Sequence, residues 1–257
     1  MRALRKYPRT PHLEGSRLQP GDADLDQVGF EELAGHYLVV EEKVDGSNAA
    51  ISFDPDGGLL LQSRGHYLRG GPRERHFAPL KAFAAQHRES LWAALDSRFV
   101  CFGEWLFATH TIFYDSLPAY FLEFDVWDRD REVFLDTPSR LELLAGTPLC
   151  HVPVLAAARF GDPSAILALV GPSLFCTGER AERFADACSA AGLRERVRTA
   201  DLSGAAEGVY VKTETDGVAT GRYKWIRPTF ADAVAAAGDH WLDLPLVANQ
   251  LSSPGPP

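Results

Sequence analysis

The segment Val39–Asn48 reads "VVEEKVDGSN" and combines an apolar run, an isolated lysine and a turn. Its β-branched beginning favours a β-strand, and Asp45-Gly46 is typical of the turn that ends one. The chain has only five lysines, at positions 6, 43, 81, 212 and 224. A lysine at a strand end among carboxylates is a candidate nucleophile, although a surface lysine paired with Glu41 or Glu42 would give the same short pattern.

The composition describes an ordinary globular chain of 257 residues, 46% hydrophobic and 24% charged. The net charge of −9 argues against a protein that coats nucleic acid generally. The sequence shows neither a membrane-length apolar run nor the apolar core of a secretory signal. Four well-separated cysteines form no CxxC pair, so we expect free thiols in a reducing cytoplasm.

Outward from the opening segment, the pattern predicts mixed strands and helices. Residues 37–44, 48–54 and 59–64 form a predicted antiparallel meander. Further strands are predicted at 99–106, 120–128, 207–214 and 222–228. Helices are predicted near 30–36 and at 77–96, 137–147, 162–171, 178–197 and within 230–246. We expect one domain over 1–250, with a basic then acidic lead-in over 1–38 and a disordered tail over 251–257.

Two strands carry polar or aromatic residues that invite a functional interpretation. Glu104 lies inside the apolar strand "FGEWL", where a carboxylate is costly unless it is paired or functional. Phe124 in "YFLEFDVWD" is either core or a stacking platform for a base. Arg64 opens the basic, glycine-rich stretch 64–75, which suits an anion-binding loop but also a solvated one.

Two later strands add charges. Glu207 and Lys212 bracket the apolar strand "EGVYVK". In "GRYKWIR", alternation puts Arg222 and Lys224 on one face and Tyr223 on the other. Two cations side by side require an anion, and a polyphosphate would supply it.

Together these motifs resemble the covalent nucleotidyltransferases, the superfamily of polynucleotide ligases and messenger-RNA capping enzymes. "KVDGSN", "FGEW", "FLEFDVWD", "EGVYVK" and "YKW" match its motifs in order over about residues 39–228. Asn48 stands where capping enzymes and many DNA ligases carry arginine, and it resembles ATP-dependent RNA ligases of the nick-sealing type. The loop "ATHTIFYDSLPAYF", with His110 and Tyr114, is similar to that group as well.

The resemblance implies a catalytic role for Lys43, which would attack the α-phosphate of ATP and become lysyl-adenylate. Lys224 and Arg222 would contact phosphates, although the family usually has lysine at the position of Arg222. The residues implied as holders of a hydrated Mg²⁺, with Mn²⁺ as a substitute, are Asp45, Glu104 and Glu207. Glu41 is left without a role, and we expect a solvated strand-end carboxylate there.

The implied nucleotide site has a base side and a ribose–phosphate side. Phe124 would stack on adenine, and the main chain near Glu42 and Val44 would recognise its edge. The remaining implied contacts come from Glu104 to the ribose hydroxyls, Arg64 to the ribose or the RNA end, Asn48 to the transferring phosphate, and Lys224.

The implied fold is α+β, an adenylation domain with antiparallel sheets flanked by helices around a nucleotide cleft. Many relatives carry a further C-terminal domain, but only about thirty residues follow Arg227 here, so we expect no large C-terminal domain. The implied reaction joins an RNA 5′-phosphate to a 3′-hydroxyl, in a nicked duplex or between single strands. A monomer is expected, with RNA held by the basic segments or by a partner protein. A nucleotidyltransferase that does not seal strands and an inactive RNA-end-binding module remain as alternatives.

Overall fold

The computed structural model describes residues 3–18, 27–237 and 245–252. Its strands are β1 (His12–Leu13), β2 (Gln27–Val28), β3 (Leu38–Lys43), β4 (Ser47–Phe53), β5 (Leu59–Ser63), β6 (Phe99–Trp105), β7 (Phe121–Asp128), β8 (Val133–Phe134), β9 (Cys150–His151), β10 (Val154–Ala158), β11 (Gly208–Thr215) and β12 (Val218–Ile226). Its α-helices are α1 (Ala78–Gln86), α2 (Arg88–Leu95), α3 (Thr137–Leu144), α4 (Pro163–Leu167), α5 (Arg180–Ala190) and α6 (Pro228–Ala237). Short 3-10 helices cover Phe30–Leu33, Pro72–Phe77 and Arg194–Thr199. The expected α+β class is confirmed.

The strands form two sheets that are mainly antiparallel. The first has the order β10-β3-β11-β12-β1-β2, and the second has the order β5-β4-β6-β7-β8 with β9 added beside β7. In the first sheet Lys43 lies opposite Gly208. In the second sheet Asn48 lies opposite Glu104. The opening segment therefore supplies one strand to each sheet, and its Asp45-Gly46 turn connects them.

Buried charges join the two sheets. Arg140 of α3 pairs with Glu41 of β3 and with Glu123 of β7. Lys212 of β11 lies 2.9 Å from Glu41 Oε2 and 3.1 Å from Asp125 Oδ1. The expectation of a solvated Glu41 was wrong, because alternation along β3 turns this side chain toward the second sheet, where it is fully buried.

Apolar clusters cover the other faces of the sheets. Helices α1 and α2 bury Leu80, Leu91 and Leu95 in a cluster with Ile51 of the second sheet. On the first sheet, Ile166 of α4 packs in a cluster with strand residues that include Val40 and Val211. The space between the sheets holds the buried charges together with a largely aromatic cluster around Phe102 and Phe134.

The predicted strand positions are confirmed, but the antiparallel meander predicted over 37–64 was wrong. Strand β3 pairs with β10 and β11 in the first sheet, while β4 and β5 pair with each other in the second, because the Asp45-Gly46 turn crosses between the sheets. Several helices also differ from their predictions. The helix expected over 77–96 is two helices that meet at His87, and the one over 178–197 ends before Gly192, whose φ of +72° breaks α5 from a 3-10 helix. The helical turn near 30–36 is 3-10, not α. Strand β10 was missed, because "VLAAA" lacks the alternation of a half-buried strand. The two-residue strands β1, β2, β8 and β9 were missed as well, because they are too short to carry a pattern.

The ends of the chain need separate comment. The acidic residues 21–26 and much of the predicted C-terminal helical region, 238–244, lie outside the described residues, as does 253–257. Leu251 forms a bridge with Leu117, and the Ser252 amide donates to the Leu117 carbonyl over 2.8 Å. These two residues, expected in a disordered tail, are part of the fold.

Two further observations bear on the expected environment. All four cysteines are free thiols. In the described part of the chain, every helix is too short or too polar to cross a membrane.

Candidate active site

Lys43 and Glu207 form the centre of the site. Glu207 immediately precedes β11, whose first residue, Gly208, lies opposite Lys43. Lys43 Nζ donates to Glu207 Oε2 over 2.7 Å, and the lysine side chain is 21% exposed while the glutamate is 3% exposed. The lysine side chain is therefore partly accessible to solvent, and the carboxylate that it contacts is buried.

Asp45 is held by the β6–β7 loop, residues 106–120. Its Oδ2 accepts hydrogen bonds from the amides of Thr111 and Ile112 over 2.7 and 2.8 Å. Its own amide donates to Tyr114 Oη over 2.8 Å. Burial raises the pKa of Asp45 to about 7, and the charge of Glu207 adds to that rise against the effect of the two amides. The loop thus fixes a carboxylate that lies next to other negative charge.

Gly46 brings this turn close to Glu104. A Cβ at Gly46 would lie 2.7 Å from the carbonyl oxygen of Trp105 and 2.9 Å from Glu104 Cγ, so a larger residue would push the turn off β6. Burial raises the pKa of Glu104 to about 8; Lys43 opposes this shift, whereas Glu207 and Asp45 reinforce it. Glu104 therefore shares one electrostatic environment with the lysine and the other two acids.

Three carboxylates surround one ammonium in this cluster. Burial alone would lower the pKa of Lys43, but the charges of Glu207 and Glu104 outweigh it and raise that pKa. The excess of negative charge and the hard oxygen donors fit a divalent cation. In the described part of the chain, no three such side chains are grouped closely enough to ligate one metal ion directly. Asp45, Glu104 and Glu207 as holders of the metal stay a prediction.

Asn48 and Arg64 lie on the second sheet at the same end. Asn48 faces Glu104 across the strand pair, and its buried Oδ1 has no hydrogen-bond partner among the described residues. A buried polar atom without a partner is costly, and a bound ligand would remove that cost. Arg64 follows Ser63, which pairs with Ala49, so the exposed arginine lies one residue past the ladder at the level of Asn48.

Phe124 lies between the sheets and is half-buried. Its ring makes an edge contact with Tyr7 at 5.1 Å between centroids and lies 6.4 Å from Tyr210. Lys212 Nζ donates to the Phe124 carbonyl. The structure therefore fixes the backbone of this residue while leaving part of its ring open.

Glu42 and Val44, on either side of Lys43, lie in different environments. The Glu42 side chain is buried and accepts hydrogen bonds from Ser173 Oγ, at 2.5 Å, and from the Leu174 amide, at 3.1 Å. Its amide donates to the Pro153 carbonyl over 3.0 Å. The amide of Glu42 is thus bound to the residue just before β10, and Val44 is buried in an apolar cluster with Leu106. Base recognition by the main chain of Glu42 and Val44 stays a prediction.

The two cations of β12 are not equivalent. Lys224 lies opposite Tyr210, and Arg222 lies opposite Lys212. They are two and four residues along the ladder from the level of Lys43, or roughly 7 and 13 Å at the usual strand rise. The Arg222 guanidinium stacks over Phe134 at 3.9 Å. Along the ladder, Lys224 therefore lies nearer to Lys43 than Arg222 does.

The predicted alternation of β12 agrees with its packing. Tyr223 and Trp225 pack with the apolar cluster on the outer face of the first sheet. Arg222 lies on the opposite face, over Phe134 of the second sheet.

Sequence reasoning assigned no role to three residues that hold the β6–β7 loop. His110 is 5% exposed, with Nε2 3.3 Å from Ser47 Oγ and Nδ1 3.9 Å from Asp45 Oδ1. Arg196 donates to the carbonyls of Thr109, at 3.1 Å, and His110, at 2.7 Å. Asn249 contacts the loop from the far end of the chain. Only His110 lies in a recognised stretch, so sequence distance hid the other two.

We compared the sequence and the structure with those of known proteins. A family model described as RNA ligase matches residues 36–226. No curated protein matches the sequence. Among solved structures, a point mutant of the Naegleria gruberi RNA ligase in the apo form gives a TM-score of 0.56 at 18% identity, covering 89% of this chain and 57% of that one. Another mutant of it, with ATP and Mn, gives 0.55 at 20% identity, with 89% and 58% covered.

The same enzyme with PPi gives a TM-score of 0.54 at 20% identity, with 89% and 57% covered. At such identities the likeness concerns the fold, and this chain spans about 57% of the length of those structures. The family match covers the opening segment, strands β3 to β12 and every predicted site residue. The chain belongs to the RNA ligase family.

Proposed function

We propose that this protein is an ATP-dependent RNA ligase that works through a covalent lysyl-adenylate at Lys43. The observation that carries the proposal is the contact of Lys43 Nζ with the buried Glu207, inside a cluster that also holds Asp45 and Glu104. An isolated surface lysine would not need three carboxylates around it. Membership of the RNA ligase family and the ATP and Mn in the solved Naegleria gruberi structures support the same reaction.

The first step transfers AMP to the enzyme. Lys43 Nζ forms a bond to the α-phosphorus, the bond between the α-phosphorus and the bridging oxygen breaks, and pyrophosphate leaves. The amine attacks only after losing a proton, and Glu207 Oε2 is the acceptor in contact with it. Because the reaction is mostly positioning and charge stabilisation, the fixed strands β3 and β11 supply much of what it needs.

Asp45, Glu104 and Glu207 are the residues that would hold a divalent cation, through its water molecules. When bound, the cation neutralises phosphate charge and lowers the pKa of the neighbouring amine. Asn48 would contact the transferring phosphate, and its buried, unpartnered amide oxygen supports a ligand at this point. The side-chain amide can present its NH₂ to a phosphate when the two ends are exchanged.

The remaining steps use RNA. AMP passes from Lys43 to the RNA 5′-phosphate, and a 3′-hydroxyl then attacks that phosphate and releases AMP. Lys224 and Arg64 would contact these phosphates, and Phe124 would hold the adenine by stacking. Arg222 would act farther along the cleft, since it lies four residues from the level of Lys43 on the ladder.

A basic surface formed by the N-terminal segment and the loop after β5 can receive the RNA. Tyr67 Oη donates to the Ala3 carbonyl over 3.4 Å, and Gln62 Nε2 donates to the Arg5 carbonyl over 2.8 Å, so the N-terminal segment runs beside the loop after β5. The exposed cations of this surface are Arg5, Lys6, Arg64, Arg69 and Arg75. The Arg5 guanidinium also stacks over Trp127 at 3.6 Å. This surface is basic although the whole chain is acidic, which favours a docking site for phosphodiesters.

The test uses ATP labelled at the α-phosphate, Mg²⁺ and the full chain, with GTP in parallel. We expect covalent label from ATP, and then sealing of a 5′-phosphate RNA end to a 3′-hydroxyl in a nicked duplex or a single strand. Label without sealing on any RNA would indicate a transferase that does not join strands. Binding of RNA ends without label would indicate an inactive end-binding module, and the proposal would be wrong.

A further inference from the structure

The segment 245–252 forms a ladder of backbone hydrogen bonds with the β6–β7 loop. Thr109 donates its amide to the Val247 carbonyl over 2.8 Å, and Asn249 donates its amide to the Phe107 carbonyl over 2.9 Å. The Gln250 amide donates to the Tyr114 carbonyl over 2.9 Å. The segment therefore lies along the loop that carries the partners of Asp45.

Asn249 adds its side chain to this ladder and is 1% exposed. Its Oδ1 accepts from Thr109 Oγ1 and from the Tyr114 amide, each over 3.0 Å. Its Nδ2 donates to the Leu106 carbonyl over 2.7 Å. One buried amide thus connects the beginning, middle and later part of the same loop.

The connected loop residues act directly on Asp45. Between Thr109 and Tyr114 lie the two amides, Thr111 and Ile112, that donate to Asp45 Oδ2. The Tyr114 amide donates to Asn249 Oδ1, and the Tyr114 hydroxyl accepts a hydrogen bond from the Asp45 amide. Tyr114 therefore links Asn249 to Asp45 through two hydrogen bonds, of 3.0 and 2.8 Å. On the other side, Thr109 lies two residues before Thr111 along the backbone.

We infer that Asn249 is a positioning residue for adenylylation: it fixes the β6–β7 loop so that Asp45 is held where a cation and Lys43 need it. The inference rests on the proposed function and extends it to a segment beyond the family match, which ends at 226. A buried side chain that makes three hydrogen bonds has no apolar substitute of equal effect, because its partners would be left unsatisfied. Small misplacement of an active-site group can slow a reaction by about 100-fold.

The test compares Asn249→Ala with two controls in the full chain. Gln250→Ala is the neighbour control, since Gln250 contributes its backbone to the ladder. Ile166→Ala is the stability control, because Ile166 is buried in the cluster on the outer face of the first sheet. The Mn²⁺ affinity of each variant is measured from the electron paramagnetic resonance signal of free Mn²⁺. The rate of labelling by ATP is measured in a single turnover.

We expect Asn249→Ala to weaken Mn²⁺ binding and to slow labelling, each by roughly 10-fold or more. Both controls should stay within about twofold of the wild type. Thr109→Val removes one of the three hydrogen bonds and should shift both quantities in the same direction by less, and it decides the matter if Asn249→Ala does not fold.

Normal Mn²⁺ affinity and labelling in a folded Asn249→Ala would overturn the inference, as would an equal loss in Ile166→Ala. A wild type that binds Mn²⁺ but takes no label from ATP would contradict the proposed function alone, since the Mn²⁺ comparison would still decide the role of Asn249.

Discussion

Lys43 and Glu207 meet across the β3–β11 ladder, with Nζ 2.7 Å from Oε2. The contact raises the pKa of the amine together with Glu104, against the opposing effect of burial. The resting lysine is therefore an ammonium held by a buried carboxylate. On our proposal, phosphate and cation must enter this cluster before the amine can react, which links binding to activation.

Replacement of Glu207 by glutamine keeps the shape of the side chain and removes its charge. We expect the rate of labelling by ATP to fall by about 100-fold, because the charge that orients the amine and holds the cation is lost. The rate is measured in a single turnover. Glu195→Gln is the control, since Glu195 is 83% exposed in a surface pair with Arg198, and its rate should be unchanged. Equal labelling rates in Glu207→Gln and Glu195→Gln would show that Glu207 does not take part in the reaction.

Phe124 supplies the base platform in our account. Phe124→Leu keeps an apolar side chain but loses the ring, so the concentration of ATP for half-maximal labelling should rise about tenfold. The maximal rate should change much less, since the phosphate contacts remain. Phe83→Leu, in the cluster beneath α1, is the control. An unchanged ATP dependence in Phe124→Leu would mean that the base binds elsewhere.

Arg140 holds two buried carboxylates, Glu41 and Glu123, and all three side chains are fully buried. Arg140→Met should lower the free energy of unfolding by about 3–5 kcal/mol, because it leaves buried negative charge without a partner. Urea unfolding at neutral pH measures the difference. Arg198→Met, from an exposed pair with 82% of its side chain accessible, should cost less than about 1 kcal/mol. If Arg140→Met also lowered the free energy of unfolding by less than about 1 kcal/mol, the buried charge network would contribute little to stability.

Asp128 gives a pH dependence of stability. Its hydrogen bonds to Arg98, at 2.9 and 2.6 Å, lower its pKa despite burial. The stabilisation is therefore complete above the ordinary aspartate pKa and is lost as pH falls through the lower pKa of the folded state. Asp128→Asn should reduce the free energy of unfolding clearly at neutral pH and less at an acidic pH below the ordinary aspartate pKa of about 3.9. A difference that is the same at both pH values would contradict this assignment.

Much of the site could be predicted from sequence, because its residues lie on strands whose pattern is local. Lys43, Glu104 and Glu207 each end or interrupt an apolar run, and the pairing of those runs places them together. Tyr223 and Arg222 likewise alternate as the strand period requires.

What sequence reasoning could not supply depends on contacts between distant segments. Glu41 looks like any strand-end acid, and only the packing of α3 against both sheets shows that it is paired with Arg140. Asn249 carries no motif, and its role comes from a loop more than a hundred residues earlier. The Ala-rich edge strand β10 has too little pattern to be recognised without its partner, β3.

The most direct test of the central claim is to locate the AMP. The wild type and Lys43→Ala are incubated with Mg²⁺ and ATP labelled at the α-phosphate, and the digested peptides are analysed by mass spectrometry. Lys81→Ala serves as the matched control, since Lys81 pairs with Glu74 at 2.6 Å, outside the cluster around Lys43. We predict one AMP on the peptide that contains Lys43 in the wild type and in Lys81→Ala, and none in a folded Lys43→Ala. Label that persists in Lys43→Ala, or a wild type without label, would contradict the account.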